Sequence, residues 1–510
     1  MLLKQQWLSQ ACCTADHWHQ AGRLLQRLAR PAEARRAYQR VLELEPQRPQ
    51  TLSNLVLLEL DVLQADAANR WLERGLALPD LKDADAELLH AAGCDLRLFQ
   101  RRPEDALVLC TQQLQRQPSV TALANRALCL QQLGRRSEAI TSQEQALQLH
   151  LQHHAPELAS QPFEKLVGRP CRDLEASIQL QRQLLNLGIY RLQADSSDRS
   201  AQTLLLSGLS NDREAFLDPR RQATRWTGEP CERLILLDDQ GFGDSLQNCS
   251  WVSAAAQRCQ HLELQVRPAL IPLLEQRLEQ GNNVTISPLN GARPPWEAGD
   301  SRQLSLFYLP LVLNGWAPES PPRLPYLKRI RADRCERQRI GLLWNAGRHR
   351  TPRAALGARI RDVPFQELWS GLGDLLSADN LELVSLQLDR HDRDAVDLLT
   401  GGAMDWPLES PCWLQTARVM DGLDAVICVD TSIAHLAGAM GVPTLLMLGD
   451  PCDWRWGPYG DSSFLYSAMT LMRCPSPGAW RPMLEVARTP LSALLRQHEN
   501  GTPPQRIRFK

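Results

Sequence analysis

Apolar residues recur every three or four positions from residue 1 to about residue 150, which predicts a succession of amphipathic helices. The pattern also repeats over a longer distance, because four similar segments each carry a small residue early and an apolar residue three or four positions later. Their equivalent small residues are Ala34, Ala68, Ala106 and Ala139, at separations of 34, 38 and 33 residues. We therefore predict that residues 1–150 form stacked pairs of helices, with the alanines allowing close approach.

The period of this segment is typical of the tetratricopeptide repeat (TPR), whose arrays bury a continuous core and offer a concave binding face. Residues 121–139 form the clearest unit, with Gly134 at the turn between two helices. An irregular helical bundle without a binding partner is the alternative. Residues 151–230 carry little further signal, and we interpret them as a helical adaptor.

The pattern changes at Arg233, where short apolar runs of strand length begin to alternate with helical segments. The first runs are Arg233–Asp238, His261–Val266 and 283–288, with a helix predicted over Leu246–Arg258. Later runs are Ile340–Gly347, Leu381–Leu388, Asp424–Asp430 and Thr444–Leu448. The alternation predicts two Rossmann-like α/β domains with parallel sheets. The predicted boundaries are 231–327 for the first domain, 328–338 for a linker, 339–497 for the second domain and 498–510 for a tail.

The most informative stretch of the second domain is 421–456, where a strand, a tight turn, a helix and another strand follow one another. Thr431 and Ser432 are favoured N-cap residues, and Ile433–Met440 has the pattern of a short helix. Ligands of such sheets bind beyond the carboxyl ends of the strands, where a helix N-terminus attracts anions. His435 could add a donor or a positive charge, so a diphosphate is the predicted ligand. The alternative is a simple helix cap beside an interior histidine.

Two loops offer further candidate chemistry at the carboxyl ends of predicted strands. In the turn after the first strand, Gly241 and Gly243 allow positive φ or close approach of a ligand. Asp244 lies where this turn enters a helix, so its carboxylate either caps the helix or faces the ligand and accepts a proton. The sequence leaves both roles open. An arginine-rich loop from Arg348 to Arg361 follows a buried strand, and arginine suits bidentate contact with phosphate.

Composition narrows the class of protein. A formal net charge of -1 over 510 residues argues against chain-wide attraction to nucleic acid or anionic lipid. No apolar run approaches the roughly 20 residues that span a bilayer, and the first residues are too polar for a secretory signal. The 14 cysteines include no C-x-x-C pair. We interpret them as reduced core thiols of a cytoplasmic protein, not as disulfides or zinc ligands.

Several of these segments resemble, in the same order, those of bacterial glycosyltransferases that carry TPR arrays and are similar to the family 9 heptosyltransferases. DQGFGDSLQ (239–247) resembles their E-Q-G-x-G-D-x-x-Q turn, and IGLLWNAGRHR (340–350) resembles their V-G-L-x-W-x-G-x-x-x-H segment. The match is completed by VSLQ (384–387), DAVICVDTSIAHLAGAMGVPTLLML (424–448), DWRW (453–456) and MRCPSPGAW (472–480). This resemblance implies a GT-B fold, in which two Rossmann-like domains face each other across a cleft.

The resemblance also implies a metal-independent, inverting transferase of hexosyl or heptosyl type, with a nucleotide-sugar donor and no cofactor. Asp244 would be the general base, and the donor diphosphate would be held by Thr431, Ser432, His435 and Arg348. Other residues expected to line the cleft are Gln240, Gly241, Gly243, Gln247, Trp344, Asn345, Asp430, Asp453 and Trp454. The loop after Trp344 departs from the family pattern, which leaves open which of its arginines contacts phosphate.

Two functions from different classes follow. The first is a glycosyltransferase whose TPR-like array recruits an acceptor protein or glycan. The second is a non-catalytic TPR scaffold that keeps a degenerate transferase domain, which the altered arginine loop would allow. A nucleotide-sugar epimerase on a similar two-domain fold fits the motifs less well.

Overall fold

The computed structural model describes residues 14–210, 224–279, 281–289, 301–313, 325–330, 337–346, 360–390 and 392–499. They fall into two compact units that divide between Ala159 and Ser160. The described part of the first unit is helical, and the second unit contains two parallel β-sheets flanked by helices. The predicted architecture is confirmed: a helical repeat array precedes two α/β domains with parallel sheets.

Helices of the first unit pack as successive pairs. Their bounds are α1 (Ala15–Arg27), α2 (Pro31–Leu44), α3 (Pro49–Asp61), α4 (Ala65–Leu76), α5 (Asp83–Phe99), α6 (Pro103–Arg116), α7 (Val120–Gln132) and α8 (Arg136–His154). The four alanines of the repeat lie in the second helix of each pair, and all four are buried: Ala34, Ala68, Ala106 and Ala139. Since a small side chain at this position lets the partner helix approach, the packing predicted from the repeat is confirmed.

The last pair follows its predicted outline. Gly134 adopts a φ of +70° between α7 and α8, a left-handed conformation that suits glycine. The predicted end of the array at residue 150 falls inside α8, because Leu151 is completely buried and the helix continues to His154.

Hydrogen bonds between residues 35 apart tie neighbouring pairs of helices together. The Gln26 Nε2 donates to Asp61 Oδ2 at 2.8 Å, and the Ser53 hydroxyl donates to the Leu88 carbonyl at 3.2 Å. These bonds join equivalent positions of consecutive repeats, so polar contacts repeat with the same period as the buried alanines.

Two helices precede the sheets in the second unit, α9 (Leu174–Ala194) and α10 (Arg199–Leu205). The carboxylate of Asp173 caps α9 by accepting from the Ala176 N–H at 2.8 Å. At the other end of α9, the Gln193 side chain donates to the Cys452 carbonyl at 3.1 Å. Helix α9 therefore contacts a loop of the second α/β domain.

The first sheet is parallel, with strand order β3-β2-β1-β4. Its strands are β1 (Cys231–Leu237), β2 (Cys259–Val266), β3 (Val284–Pro288) and β4 (Ser301–Ser305). The helices of this domain are α11 (Phe242–Asn248), α12 (Val252–Ala256), α13 (Ile271–Arg277) and α14 (Leu309–Val312). The three strands predicted for this domain are confirmed as β1, β2 and β3.

The single helix predicted over Leu246–Arg258 is wrong in its bounds. Helix α11 begins four residues earlier, and a 3-10 turn over Cys249–Trp251 separates it from α12. The Ser250 hydroxyl donates to the Gln247 carbonyl at 2.8 Å and so competes with the helical amide for that acceptor. This side-chain bond lies at the point where the helix is interrupted.

The second sheet is also parallel, with strand order β10-β9-β8-β5-β6-β7. Its strands are β5 (Gln338–Leu343), β6 (Leu381–Ser385), β7 (Met404–Asp405), β8 (Ala425–Val429), β9 (Thr444–Leu448) and β10 (Met469–Arg473). Its helices are α15 (Phe365–Leu376), α16 (Arg393–Thr400), α17 (Trp413–Asp421), α18 (Ser432–Met440) and α19 (Trp480–Glu499). Every residue of β8 and β9 is buried, as expected of strands covered on both faces. Among the helices described in both units, none is long and apolar enough to cross a membrane.

A buried ion pair joins the two α/β domains. Arg277 at the end of α13 donates through Nη2 to Asp421 Oδ2 at 2.8 Å, and these side chains are only 3% and 9% exposed. Arg277 also donates to the Lys328 carbonyl at 3.0 Å, and the Asp421 carboxylate accepts from the Ile330 N–H at 2.9 Å. The domains are thereby held together at a point separate from the candidate site.

Candidate active site

The turn after β1 places Asp244 in the first turn of α11. Gly241 is the N-cap residue, and its N–H donates to Asp244 Oδ2 at 3.1 Å. The other carboxylate oxygen, Oδ1, accepts from Arg455 Nη2 at 2.5 Å. Asp244 therefore stabilises the start of the helix, which is one of the two roles left open by the sequence, while its second oxygen faces the other domain.

A buried acidic residue supports this turn from below. Asp238 Oδ1 accepts from the Ser245 hydroxyl, and both Asp238 oxygens accept from the Arg267 side chain at 3.0 Å. The Arg267 guanidinium in turn lies 3.9 Å from the centre of the Phe242 ring. Because Phe242 and Ser245 flank Asp244, these contacts fix the position of the candidate base.

The second sheet presents a helix N-terminus directly after β8. Thr431 has extended backbone and is the N-cap of α18, where its hydroxyl accepts from the Ile433 N–H at 3.3 Å. Helix α18 ends at Gly441, which adopts a φ of +67°. The predicted cap is confirmed, so Thr431 and Ser432 begin a helix at the carboxyl end of a buried strand.

His435 lies in the first turn of α18 with its ring buried. Its Nδ1 lies 2.9 Å from the Tyr466 hydroxyl, and its ring stacks on Trp456 with 5.2 Å between ring centres. Burial lowers the pKa of His435 to about 3, and the positive charges of Arg455 and Arg361 lower it further than the Asp453 carboxylate raises it. Of the two contributions that the sequence left open for His435, a donor or a positive charge, the lowered pKa favours the neutral donor at neutral pH.

The two turns meet at Gly243. A Cβ atom at this position would lie 2.9 Å from His435 Cδ2 and 3.5 Å from the Ser432 Cα, closer than the histidine ring allows. The backbone of the first domain therefore packs directly on the beginning of α18, which is why the site requires glycine here. Asp244 and His435 lie on adjacent turns and not on opposite surfaces.

Arg455 is the residue of this site that the sequence interpretation missed. Its Nη1 donates to both oxygens of Asp453 at 2.9 Å, while Nη2 donates to Asp244. The guanidinium lies 5.2 Å from the centre of the Phe307 ring and 4.9 Å from that of Trp454. The signal that could have found it is the DWRW segment (453–456). The expected cleft residues include Asp453 and Trp454 of this segment but not the arginine between the two tryptophans.

Arg455 stays charged despite its burial. Burial alone lowers the pKa of Arg455, but the carboxylates of Asp453 and Asp244 raise it by more, so the net direction is upward. Burial likewise raises the pKa of Asp453, yet the neighbouring Arg455 and Arg361 guanidinium groups bring it below its usual range. The pair is therefore a charged ion pair near neutral pH.

Asp430 lies beneath the start of α18. Burial is the main reason that the pKa of Asp430 rises to about 6; Arg361 opposes the rise and the Asp453 carboxylate adds to it. The Arg361 Nη1 donates to the backbone carbonyl of Asp430 at 3.0 Å. Arg361 is thus the one arginine of the loop 348–361 that the described residues place beside the site.

Among the residues expected to line the cleft, Trp344, Gln247 and Trp454 are buried in the structure. Trp344 is 1% exposed and its indole N–H donates to Asp392 at 2.7 Å, while Gln247 is 3% exposed. The Asn345 side chain accepts from Gln387 at 2.8 Å, and Trp454 packs under the Arg455 guanidinium. Trp344 packs in the apolar core and Gln247 is a buried polar side chain, and the place of both in the cleft stays a prediction.

The remaining candidates have different outcomes. Gln240 and Gly241 are exposed on the turn before α11. Arg348 lies outside the described residues, so its predicted phosphate contact stays a prediction. Within the part of the chain that the structure describes, no three or more histidine, cysteine, aspartate or glutamate side chains are placed to hold a metal ion.

Comparison with known proteins finds a family match within each part of the chain. Residues 413–476 match the model of glycosyltransferase family 9 (heptosyltransferase), and residues 15–48 and 120–153 match the tetratricopeptide repeat. These matches confirm the resemblance to TPR-bearing, family 9-like glycosyltransferases, and the family 9 match supports glycosyl transfer. No curated protein matches the chain.

Solved structures show weaker likenesses. The Escherichia coli heptosyltransferase WaaC with ADP-2-deoxy-2-fluoro heptose is 14% identical, has a TM-score of 0.35, and covers 53% of this chain and 100% of its own. The E. coli ADP-heptose lps heptosyltransferase II is 14% identical with a TM-score of 0.34, over 52% and 99% of the two chains. A mutant O-GlcNAc transferase of Thermobaculum terrenum is 13% identical with a TM-score of 0.31, over 88% and 91%.

Proposed function

We propose that the protein transfers a sugar from a nucleotide-sugar donor to an acceptor hydroxyl, with inversion at the anomeric carbon and without a metal ion. The observation that carries this function is the packing of Gly243 on His435, which brings Asp244 of one domain beside the N-terminus of α18 in the other. That helix lies in the segment that matches the family 9 model. A base beside an anion-binding helix end suits transfer to a hydroxyl with a departing diphosphate.

The N-terminus of α18 would hold the diphosphate. Its free backbone N–H groups and the Thr431 and Ser432 hydroxyls are donors, and the helix dipole favours negative charge there. The Tyr466 hydroxyl lies 2.9 Å from Nδ1 of His435; if it donates there, the ring hydrogen is on Nε2, which lies toward Gly243. His435 would then bind the anion as a neutral donor, and the positive charge would come from arginine, with Arg348 the candidate of the loop.

The transfer step needs one base and one leaving group. The acceptor oxygen attacks the anomeric carbon and forms the new glycosidic bond, while the bond from that carbon to the phosphate oxygen breaks. The bonding electron pair departs with the nucleoside diphosphate, and the hydroxyl proton passes to an oxygen of Asp244. Positioning of donor and acceptor supplies much of the remaining acceleration.

The direct test is mass spectrometry of products formed from a mixture of nucleotide sugars and cell lysate, which supplies protein and glycan acceptors. Asp244→Asn should reduce transfer by about 10²–10⁴-fold, the usual contribution of a general base. Asp374→Asn is the matched control, because Asp374 is also ion-paired to an arginine, Arg488 at 2.6 Å, but on the exposed surface. Equal activity of the Asp244 variant and the wild type would refute the role of this carboxylate.

A non-catalytic scaffold is the second candidate, and one observation favours it. Both oxygens of Asp244 are engaged, Oδ2 by the Gly241 N–H and Oδ1 by Arg455. Thermal unfolding with a panel of nucleotide sugars separates the two functions. Stabilisation by one donor supports the transferase, and no stabilisation by any donor favours the scaffold.

The TPR array would recruit the acceptor, either a protein or a glycan. Its match to the tetratricopeptide repeat and its stacked helix pairs support a binding role. Modified proteins or glycans recovered from the lysate reaction would identify the acceptor class.

A further inference from the structure

One guanidinium links the carboxylates of the two α/β domains at the candidate site. Arg455 bonds to Asp244 through Nη2 and to Asp453 through Nη1, and its side chain is 13% exposed. The Asp244 and Asp453 side chains are more accessible, at 25% and 35%. The cation is thus largely buried, while both carboxylates that hold it remain partly in contact with solvent.

Arg455 lies beyond the carboxyl end of a parallel strand, where ligands of such sheets bind. It follows β9, which pairs in parallel with β8 up to Val429 and Met447, so the loops after both strands leave the same edge of the sheet. The loop after β8 begins α18 with Thr431. The Arg455 charge also acts on His435 in the first turn of that helix. The guanidinium and the N-terminus of α18 therefore lie at the same edge of the sheet.

The guanidinium also has unused bonding capacity. Its Nε is buried and has no hydrogen-bond partner among the residues that the structure describes. A buried donor without an acceptor is costly, so an anion that also accepted from Nε would stabilise this side chain. A diphosphate offers several anionic oxygens and can accept from two guanidinium nitrogens at once.

We propose that Arg455 binds the donor diphosphate, and that without donor its guanidinium is held by Asp244 and Asp453. Donor binding then draws the guanidinium away from Asp244 and releases Oδ1, the oxygen that accepts the proton of the acceptor hydroxyl. The base is masked until the donor has bound. This role rests on the proposed sugar transfer. It assigns to Arg455 a contact with the diphosphate, which no described residue of the loop 348–361 has been shown to make.

Competition between Asp244 and the diphosphate for Arg455 predicts the direction in which each variant changes the affinity for nucleoside diphosphate. Since Asp244 and the diphosphate compete for Arg455, neutralising Asp244 should increase the affinity for nucleoside diphosphate. Removing Arg455 should decrease it by at least about tenfold, because hydrogen bonds to charged groups contribute about 1.5–3 kcal/mol. In the double variant the gain should disappear, because the cation for which Asp244 competes is gone.

The experiment is titration calorimetry of the full-length chain with UDP, GDP and ADP at fixed ionic strength. The proteins are wild type, Asp244→Asn, Arg455→Met, the double variant and the control Asp374→Asn, which removes the charge partner of Arg488 on the surface. For the nucleotide that the wild type binds best, we expect tighter binding by Asp244→Asn than by the wild type. Arg455→Met and the double variant should both bind it more weakly, to the same extent. The control should bind it with wild-type affinity.

The outcomes separate the two levels of inference. If the wild type binds none of the three nucleotides, the sugar-transfer function fails and the role of Arg455 fails with it. If the wild type binds one, but Arg455→Met binds it equally well or Asp244→Asn binds it more weakly, only the role of Arg455 is refuted. Should Arg455→Met not fold, Asp453→Asn must still show the gain in affinity, and Arg455→Lys must show a loss.

Discussion

The buried, neutral state of His435 predicts how the stability of the second unit depends on pH. The usual pKa of histidine is 6.5, and burial lowers it to about 3 in the folded protein. Between these values the unfolded chain binds the extra proton and the folded protein does not. The stability that the neutral ring provides above pH 6.5 is therefore lost as the pH falls through this window.

The size of the effect follows from linkage. At pH 5 the unfolded ring is almost fully protonated, so protonation favours unfolding by about 2 kcal/mol, against about 0.2 kcal/mol at pH 7. Asp430 opposes the trend, because its pKa is raised to about 6 from 3.8 and the folded state binds its proton more readily. By the same calculation, protonation of Asp430 adds about 1 kcal/mol to the free energy of unfolding on going from pH 7 to pH 5. In the wild type these two opposing contributions therefore leave only a small net change in the free energy of unfolding.

Comparison with His435→Gln isolates the histidine contribution. Urea unfolding followed by tryptophan fluorescence at pH 7 and pH 5 gives the free energy of unfolding, and Trp456 stacks on this ring as a local probe. We expect the stability difference between wild type and variant to shift by about 2 kcal/mol in favour of the variant on going from pH 7 to pH 5. His261→Gln is the control, since His261 is an exposed residue of β2. An unchanged difference for His435→Gln would refute burial as the cause of its neutral state.

Three further predictions concern the contact between the domains and the chemistry. Gly243→Ala should destabilise the second unit by about 1–3 kcal/mol and abolish transfer, because the new Cβ would lie 2.9 Å from His435 Cδ2; wild-type activity and melting temperature would contradict this packing. Arg277→Met should cost about 3–5 kcal/mol in urea unfolding by leaving Asp421 buried and unpaired, whereas the double change with Asp421→Leu should recover most of that loss. Transfer activity should persist in excess EDTA, and its loss with recovery on adding a divalent cation would refute a metal-independent reaction.

The periodic parts of the fold could be predicted from the sequence because each carries a strong local signal. The buried alanines repeat at intervals close to the period of one helix pair, and β8 and β9 are short apolar runs bounded by turn residues. Strands β4 and β7 had no such signal. Strand β4 reads SRQLS and β7 has two residues, so their placement depends on pairing with β1 and β6.

The candidate site was predicted in its parts but not in its electrostatics. The cap at Thr431 and the position of Asp244 follow from local turn chemistry, whereas the close approach at Gly243 is made by His435 and not by a ligand. The neutral state of His435 and the ion pair of Arg455 arise from residues far apart in sequence that meet only in the fold. Spacing along the chain cannot give the burial that decides a charge state.

Helices α9 and α10 set a limit on how the chain can be divided for experiments. Leu192, Ala201 and Leu205 belong to the same apolar core as the strands of both sheets, and Gln193 bonds to the loop that leads to Arg455. An expression fragment that starts at Cys231, the first residue of β1, would remove these side chains and leave apolar surface in water. A fragment that starts at Ser160 keeps them, so recombinant work on the α/β pair should include this segment.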